Sequence, residues 1–168
     1  ITKHKKGYFL ECEKKIIDEL FIKLNSYKFR SKVEILNLSN EFVVVVLSKE
    51  KFLTLENSKD VLGYTTKFRE DPIYLDPRHK DLGARLITNL EKLHLSLKLL
   101  ELKSSNLDEY YSVSNKLGIP QINTDKLQNN LFGIECNLNE LNGIDFKKGC
   151  YVGPVSYTHL RAHETQTH

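Results

Sequence analysis

The chain has 168 residues, 40% of them hydrophobic and 28% charged, and its formal net charge is +3. That length suffices for one domain with a core of its own, or for part of a larger protein. It contains no apolar run near the roughly 20 residues that span a bilayer, and the basic surplus is too mild and scattered to announce nucleic-acid binding.

The run from Gly7 to Glu11 is short, apolar and of strand type. After it, Ile16, Leu20, Leu24 and Tyr27 recur on one helical face with Ile17 and Phe21 beside them, while Lys14, Lys15, Asp18, Glu19, Lys23 and Asn25 occupy the other. This periodicity predicts an amphipathic helix that covers a sheet. Val33-Glu34-Ile35 opens an alternating run, Ser39-Asn40-Glu41 reads as a turn, and Phe42 to Leu47 is β-branched and apolar. Together they predict a hairpin, and the unbroken Val43-Val44-Val45-Val46 run predicts a strand covered on both faces. The first half therefore reads β-α-β-β, an α+β pattern.

Residues 49–70 lack a clear period and are read as a short helix and a connection. Ile73-Tyr74-Leu75 is a strand that stops at Asp76-Pro77-Arg78, because proline donates nothing to a ladder. Arg85 to Thr88 is a second short strand, whereas Leu93 to Leu102 suits either strand or helix. Asn106 is placed to cap a helix that runs to about Lys116, with Asp108 and Glu109 in its first turn. Gly118 and Pro120 end it. From Gln121 to Phe146 the chain is rich in Asn and Asp and reads as loop with short elements, the kind of segment that often carries function.

Cys12, Cys136 and Cys150 are widely spaced and lack the paired spacings of zinc or disulfide frameworks, which fits a reducing compartment. His4, His79 and His94 are isolated, and no metal-ligand spacing or glycine-rich nucleotide fingerprint occurs. Two positions stand out. Cys150 follows Lys147 and Lys148 and is bracketed by Gly149 and Gly153. Nearby cations favour the thiolate, while the glycines let the backbone come close to a ligand; the alternative is a small residue filling a turn. Glu135 follows the apolar Leu131-Phe132-Gly133-Ile134, so its carboxylate either reaches solvent or meets donors, such as two adjacent N–H groups of a planar heterocycle.

Lys148-Gly149-Cys150-Tyr151-Val152-Gly153 resembles the K-G-C-Y-x-G-Q-E signature of the YgfZ family of folate-binding proteins, relatives of the glycine-cleavage aminomethyltransferase. Tyr27, Arg30 to Val33, Asp76-Pro77-Arg78 with Gly83 and Arg85, Gly118-Ile119-Pro120, and Glu135 with Asn137-Leu138 agree with the family's order. The resemblance implies a fragment of the aminomethyltransferase-like α+β fold, with antiparallel sheets covered by helices. Residues 1–153 would form a folate-binding domain truncated at both ends. After Gly153 the expected Gln-Glu is replaced, and residues 154–168 resemble translated sequencing-adaptor DNA, so they are set aside as an artefactual tail.

The same resemblance implies tetrahydrofolate, or a derivative, as cofactor. Glu135 would face the pterin edge, and Lys148, Gly149, Cys150 and Tyr151 would form the signature loop beside the folate. Arg78 would meet the glutamyl carboxylate or tie its strand to the core. The implied role is accessory rather than catalytic: support of iron–sulfur enzyme assembly or repair, acting indirectly on tRNA modification. On this resemblance Cys150 is the candidate functional thiol, which either acts chemically or only shapes the folate pocket, and no residue is assigned to catalysis. The implied partners are folate and iron–sulfur enzymes or assembly factors, with no direct nucleic acid and no membrane. The implied location is the bacterial cytoplasm, or the mitochondrial matrix in a eukaryote. A folate-dependent aminomethyltransferase is the alternative, although that branch lacks cysteine at the signature loop. A partner-binding domain that has lost folate is a third reading.

Overall fold

The computed structural model describes residues 1–121, 123–127 and 130–148. Its architecture is α+β. A hairpin of β1 (Thr2–His4) and β2 (Gly7–Phe9) leads through a single 3-10 turn into α1 (Ile17–Tyr27). A four-stranded antiparallel sheet follows, in the order β3-β6-β5-β4, from β3 (Phe42–Leu47), β4 (Thr65–Phe68), β5 (Asp71–Leu75) and β6 (Ala84–Asn89). The remaining helices are α2 (Lys49–Leu53), α3 (Leu90–Leu99) and α4 (Leu107–Lys116). None of the helices among the described residues is long and apolar enough to cross a membrane.

Register decides what each face of the sheet carries. Ile73 pairs with Leu86 and Leu75 with Ala84, while Leu47 pairs with Ala84 on the other side of β6. Side chains alternate along a strand, so these residues share one face. There they form a buried cluster completed by Phe52 of α2 and by Leu100 after α3. Full burial of a side chain such as Phe52 contributes roughly 1.5–3 kcal/mol. The next pair in register, Tyr74 opposite Arg85, necessarily lies on the second face. A smaller cluster of Leu82, Ile119 and Leu141, flanked by Tyr110, Val113 and Leu117, fastens α4 and the segment around Leu141 to the turn before β6.

Local signals account for most boundaries. The Ser48 hydroxyl accepts from Lys51 N at 3.2 Å and opens α2, and the Asn89 and Asn106 side chains accept from Glu91 N and Asp108 N to open α3 and α4. Each cap satisfies a helix donor that has no intrahelical partner. Gly118 ends α4 in the left-handed region with φ +65°. Gly83 has φ +71°, and a Cβ there would stand 2.2 Å from the Leu47 carbonyl oxygen, so only glycine lets β3 and the start of β6 approach so closely.

Four expectations are corrected. Residues 33–38 form no strand; Leu38 O accepts from both Glu41 N and Phe42 N, an overwound turn that does not close a hairpin, and β3 pairs with β6 instead. The valine run of β3 is not covered on both faces, because β3 is an edge strand and Val46 is 36% exposed. There, β-branching reflects strand propensity rather than burial. Helix α1 has no buried residue, and Tyr27 on its apolar side is 66% exposed, so it does not cover the sheet as its period suggested. Finally, the first half runs β-β-α-β, since β1 was not anticipated and β4, in the stretch read as connection, joins the sheet only as its second edge. The leucine-rich stretch that suited either form is helical as α3.

Candidate functional site

The pairing of Tyr74 with Arg85 on the second face of the sheet places two polar side chains where burial demands partners. Both find Glu11, which follows β2. The Tyr74 hydroxyl donates to Glu11 Oε1 at 2.6 Å, and Arg85 Nε lies 2.9 Å from the same oxygen. That second contact is an ion pair by distance, but the Arg85 Nε–H is not aimed along a hydrogen bond. Glu11 Oε2 is buried and accepts from no group among the described residues.

At the end of β5 the chain turns through Asp76-Pro77-Arg78. The Asp76 carboxylate is fully buried and is gripped at both oxygens by Arg78: Nε donates to Oδ1 at 3.0 Å and Nη2 to Oδ2 at 2.7 Å. The Arg78 N–H also donates to Oδ1 at 3.0 Å. This planar two-pronged pairing is the geometry for which guanidinium is suited. Arg85 Nη1 lies 3.7 Å from Asp76 Oδ2, so two arginines face two carboxylates.

Tyr110 of α4 bridges the arginines. Its hydroxyl accepts from Arg85 Nη1 at 2.8 Å and from Arg78 Nη2 at 3.3 Å, and donates to Gln121 Oε1 at 3.1 Å. Arg78 Nη1 donates to that same Gln121 oxygen at 3.1 Å. The electrostatics follow from the contacts. Burial alone would lower the Arg78 pKa, but Asp76 and then Tyr110 outweigh it and hold the guanidinium above its ordinary value. Burial opposes Glu11, Tyr110 and Tyr74 in the same way at Arg85, with the same upward outcome. Burial, reinforced by Glu11, raises Tyr74 and keeps its phenol neutral. The cluster is a charge-balanced ionic lock of two arginines and two carboxylates, in which Glu11 Oε2 is the buried acceptor left without a partner among the described residues.

Of the residues singled out in the sequence, Arg78 thus ties its turn to the core through Asp76. Glu135 sits in a 3-10 turn over Gly133–Cys136, exposed; its Oε2 accepts from Phe132 N at 2.7 Å while its own N–H donates to Phe132 O at 2.9 Å. This reciprocal cap occupies one carboxylate oxygen. No hydrogen bond or ion pair joins Arg78 to Glu135 among the described residues. The segment carrying Glu135 is nevertheless anchored at the same end of the fold. Asn142 Nδ2 donates to Pro77 O at 3.0 Å and Asn137 Nδ2 to Gly118 O at 3.1 Å. The Lys148 N–H donates to Asp145 O at 3.4 Å. Gly149, Cys150 and Tyr151 lie outside the described residues. Among the described residues no group of three or more His, Cys, Asp or Glu side chains is placed to hold a metal ion.

Sequence reasoning missed Glu11, Tyr74, Tyr110 and Gln121. One signal was available: Arg85 lies within the apolar Ala84-Arg85-Leu86-Ile87, and an arginine in a buried strand requires a carboxylate. Which carboxylate could not be read, because Glu11 is distant in the chain.

No family model matches the chain. It is similar to the iron-sulfur cluster assembly factor IBA57 homolog, mitochondrial, of Dictyostelium discoideum, with 29% identity over 92% of the chain and 38% of that relative. The mitochondrial iron-sulfur cluster assembly factor IBA57 of Mus musculus is 29% identical over 88% of the chain and 39% of its own length. The corresponding homolog of Yarrowia lipolytica is 24% identical over 98% of the chain and 39% of its own length. The chain therefore spans about two fifths of the length of the curated relatives it matches.

Proposed function

We propose that the chain is the folate-binding part of an accessory factor for iron–sulfur protein assembly, with an aminomethyltransferase-like fold and no steady turnover of its own. The observation that carries this reading is its similarity, along nearly its whole length, to relatives named as iron–sulfur cluster assembly factors. The K-G-C-Y-x-G stretch at 148–153 supports it independently. The relatives' names are mitochondrial, which favours the matrix as the site of action. Iron–sulfur enzymes or their assembly proteins are the partners, and tRNA modification is affected only through such enzymes.

Within this reading tetrahydrofolate binds against Glu135 and the loop from Lys148 to Gly153. Glu135 has one oxygen engaged by Phe132 N–H and a second oxygen with no partner among the described residues. A heterocycle presenting two N–H donors would take the second oxygen and share or displace the first. Arg78 acts chiefly as the brace of the site, because Asp76, Gln121 and Tyr110 take four of its five side-chain N–H donors and leave one on Nη1.

Isothermal calorimetry of the protein with tetrahydrofolate tests the binding. Saturable heat that weakens roughly tenfold or more in Glu135→Ala is expected, as for loss of hydrogen bonds to a charged group. No heat at millimolar ligand overturns the folate assignment. In cells lacking the endogenous factor, Cys150→Ser is expected to fold but to restore iron–sulfur enzyme activity poorly; full restoration would make the thiol a structural residue. Formation of methylene-tetrahydrofolate from an aminomethylated carrier would establish the aminomethyltransferase alternative instead.

A further inference from the structure

Residues 33–38 alternate as a strand does, yet the structure gives them no partner. Val33-Glu34-Ile35 places two β-branched side chains on one side and a carboxylate on the other. The N–H groups of Glu34, Ile35, Leu36, Asn37 and Leu38 donate to no backbone carbonyl among the described residues. The carbonyls of residues 33–37 accept from no backbone N–H there. A row of open backbone groups is the template on which another strand is added.

This open row is held in place. Asn37 Nδ2 donates to Asp18 Oδ1 in the first turn of α1 at 3.3 Å, and Leu38 O closes the turn into β3. The side chains leading into it and along it are apolar and uncovered. Val33 is 54% exposed, Leu36 63% and Phe29 80%. Tyr27 stands edge-on to Phe29 with ring centroids 6.3 Å apart and is itself exposed. One exposed apolar side chain is ordinary, but four within ten residues, beside an unpaired backbone, mark a surface that something covers.

Length identifies the occupant. The chain spans 38–39% of the relatives it matches, so most of each relative lies outside the matched part. A strand in such a remainder is tethered to this surface and meets it at an effective concentration far above that of a separate protein. We propose that residues 33–36 receive a β-strand from the part of the full-length protein outside these 168 residues, and that Tyr27, Phe29, Val33 and Leu36 are buried beneath that part. The incoming strand is apolar on the side it shares with Val33 and Ile35, because paired strands line each face with alternate residues. The alternation at 33–35 is then a true strand signal whose partner lies elsewhere in the protein.

Two measurements on the gene product at its natural length test this. In hydrogen–deuterium exchange, the amides of residues 34–38 are expected to exchange on the order of a hundredfold or more slower than in an unstructured peptide of the same sequence, at any protein concentration. In Leu36→p-benzoylphenylalanine, irradiation is expected to link position 36 to a peptide from outside the 168 residues, within a product of monomer mass. Exchange at the peptide rate would overturn the proposal. Protection that appears only as concentration rises, or a product of dimer mass, would put a second copy on the edge and overturn it as well. Links confined to the 168 residues, or a gene product that ends within them, would leave no such strand to supply and would also overturn it. Should the variant fail to fold, the wild-type exchange rates and the length of the gene product decide.

Discussion

The Tyr110 hydroxyl lies 2.8 Å from Arg85 Nη1, and with that single oxygen α4 is tied to the second face of the sheet. It also accepts from Arg78 and donates to Gln121, so its hydrogen-bonding capacity is full. Tyr110→Phe strips a partner from two arginines and an amide without opening a large cavity. Urea denaturation is expected to show a loss of about 1–3 kcal/mol. An unchanged midpoint would mean that water replaces the hydroxyl.

Alkali should loosen the fold at a defined residue. The Tyr74 pKa is raised in the folded state by burial and by Glu11, whereas in the unfolded chain it stands near the ordinary tyrosine value of 10.0. The folded form therefore binds the proton more tightly. The stability it contributes is fully present below pH 10 and declines as pH rises above it. Denaturation midpoints measured from pH 8 to 11 are expected to fall more steeply for the wild type than for Tyr74→Phe, and parallel curves would dissociate Tyr74 from the effect.

Gly83 is predicted to be the most intolerant glycine among the described residues. Alanine would combine a strained φ of +71° with a Cβ 2.2 Å from Leu47 O. Backbone strain and forced separation of β3 from β6 together cost roughly 2–5 kcal/mol. Gly7→Ala, where the nearest atom to an added Cβ is 4.0 Å away and φ is not strained, provides the control. Similar losses at both positions would refute the close-approach explanation.

Cys12 is expected to be a sluggish thiol. Burial first, then the charges of Glu11 and Glu13, raise its pKa above the ordinary thiol value and suppress the thiolate. Mass-spectrometric timing of iodoacetamide labelling at pH 8 should show modification slower than that of a free cysteine peptide. Glu13→Gln should speed it, and an equal rate in that variant would leave burial and Glu11 as the cause.

Elements whose signals are local were legible in the sequence: α1 by its period, α4 between Asn106 and Gly118, and β5 by Pro77. The strand partners were not. The choice of β6 rather than residues 33–38 as neighbour of β3 depends on ladder geometry between segments far apart in the chain, from Leu47 opposite Ala84 to Phe42 opposite Asn89, and β-branched composition is the same in either arrangement. The site divides in the same manner. Arg78 and Glu135 were visible as residue types in suggestive settings, but that Asp76 consumes Arg78 and a cap consumes one Glu135 oxygen is a matter of three-dimensional placement.

The ionic lock also sets an order of assembly. Its members are separated in the chain by 63 residues between Glu11 and Tyr74 and by 43 between Arg78 and Gln121, while β5 and β6 are near neighbours. Closing such long loops is slow, and contacts of this kind form late. Stopped-flow folding of Tyr110→Phe should therefore show accelerated unfolding with nearly unchanged refolding, whereas slowed refolding would place the lock in the nucleus. Late closure would make the completed lock a signature of finished folding: a chain arrested with only its β5–β6 hairpin formed would leave Arg85 without Glu11 and α4 without its tie to the sheet.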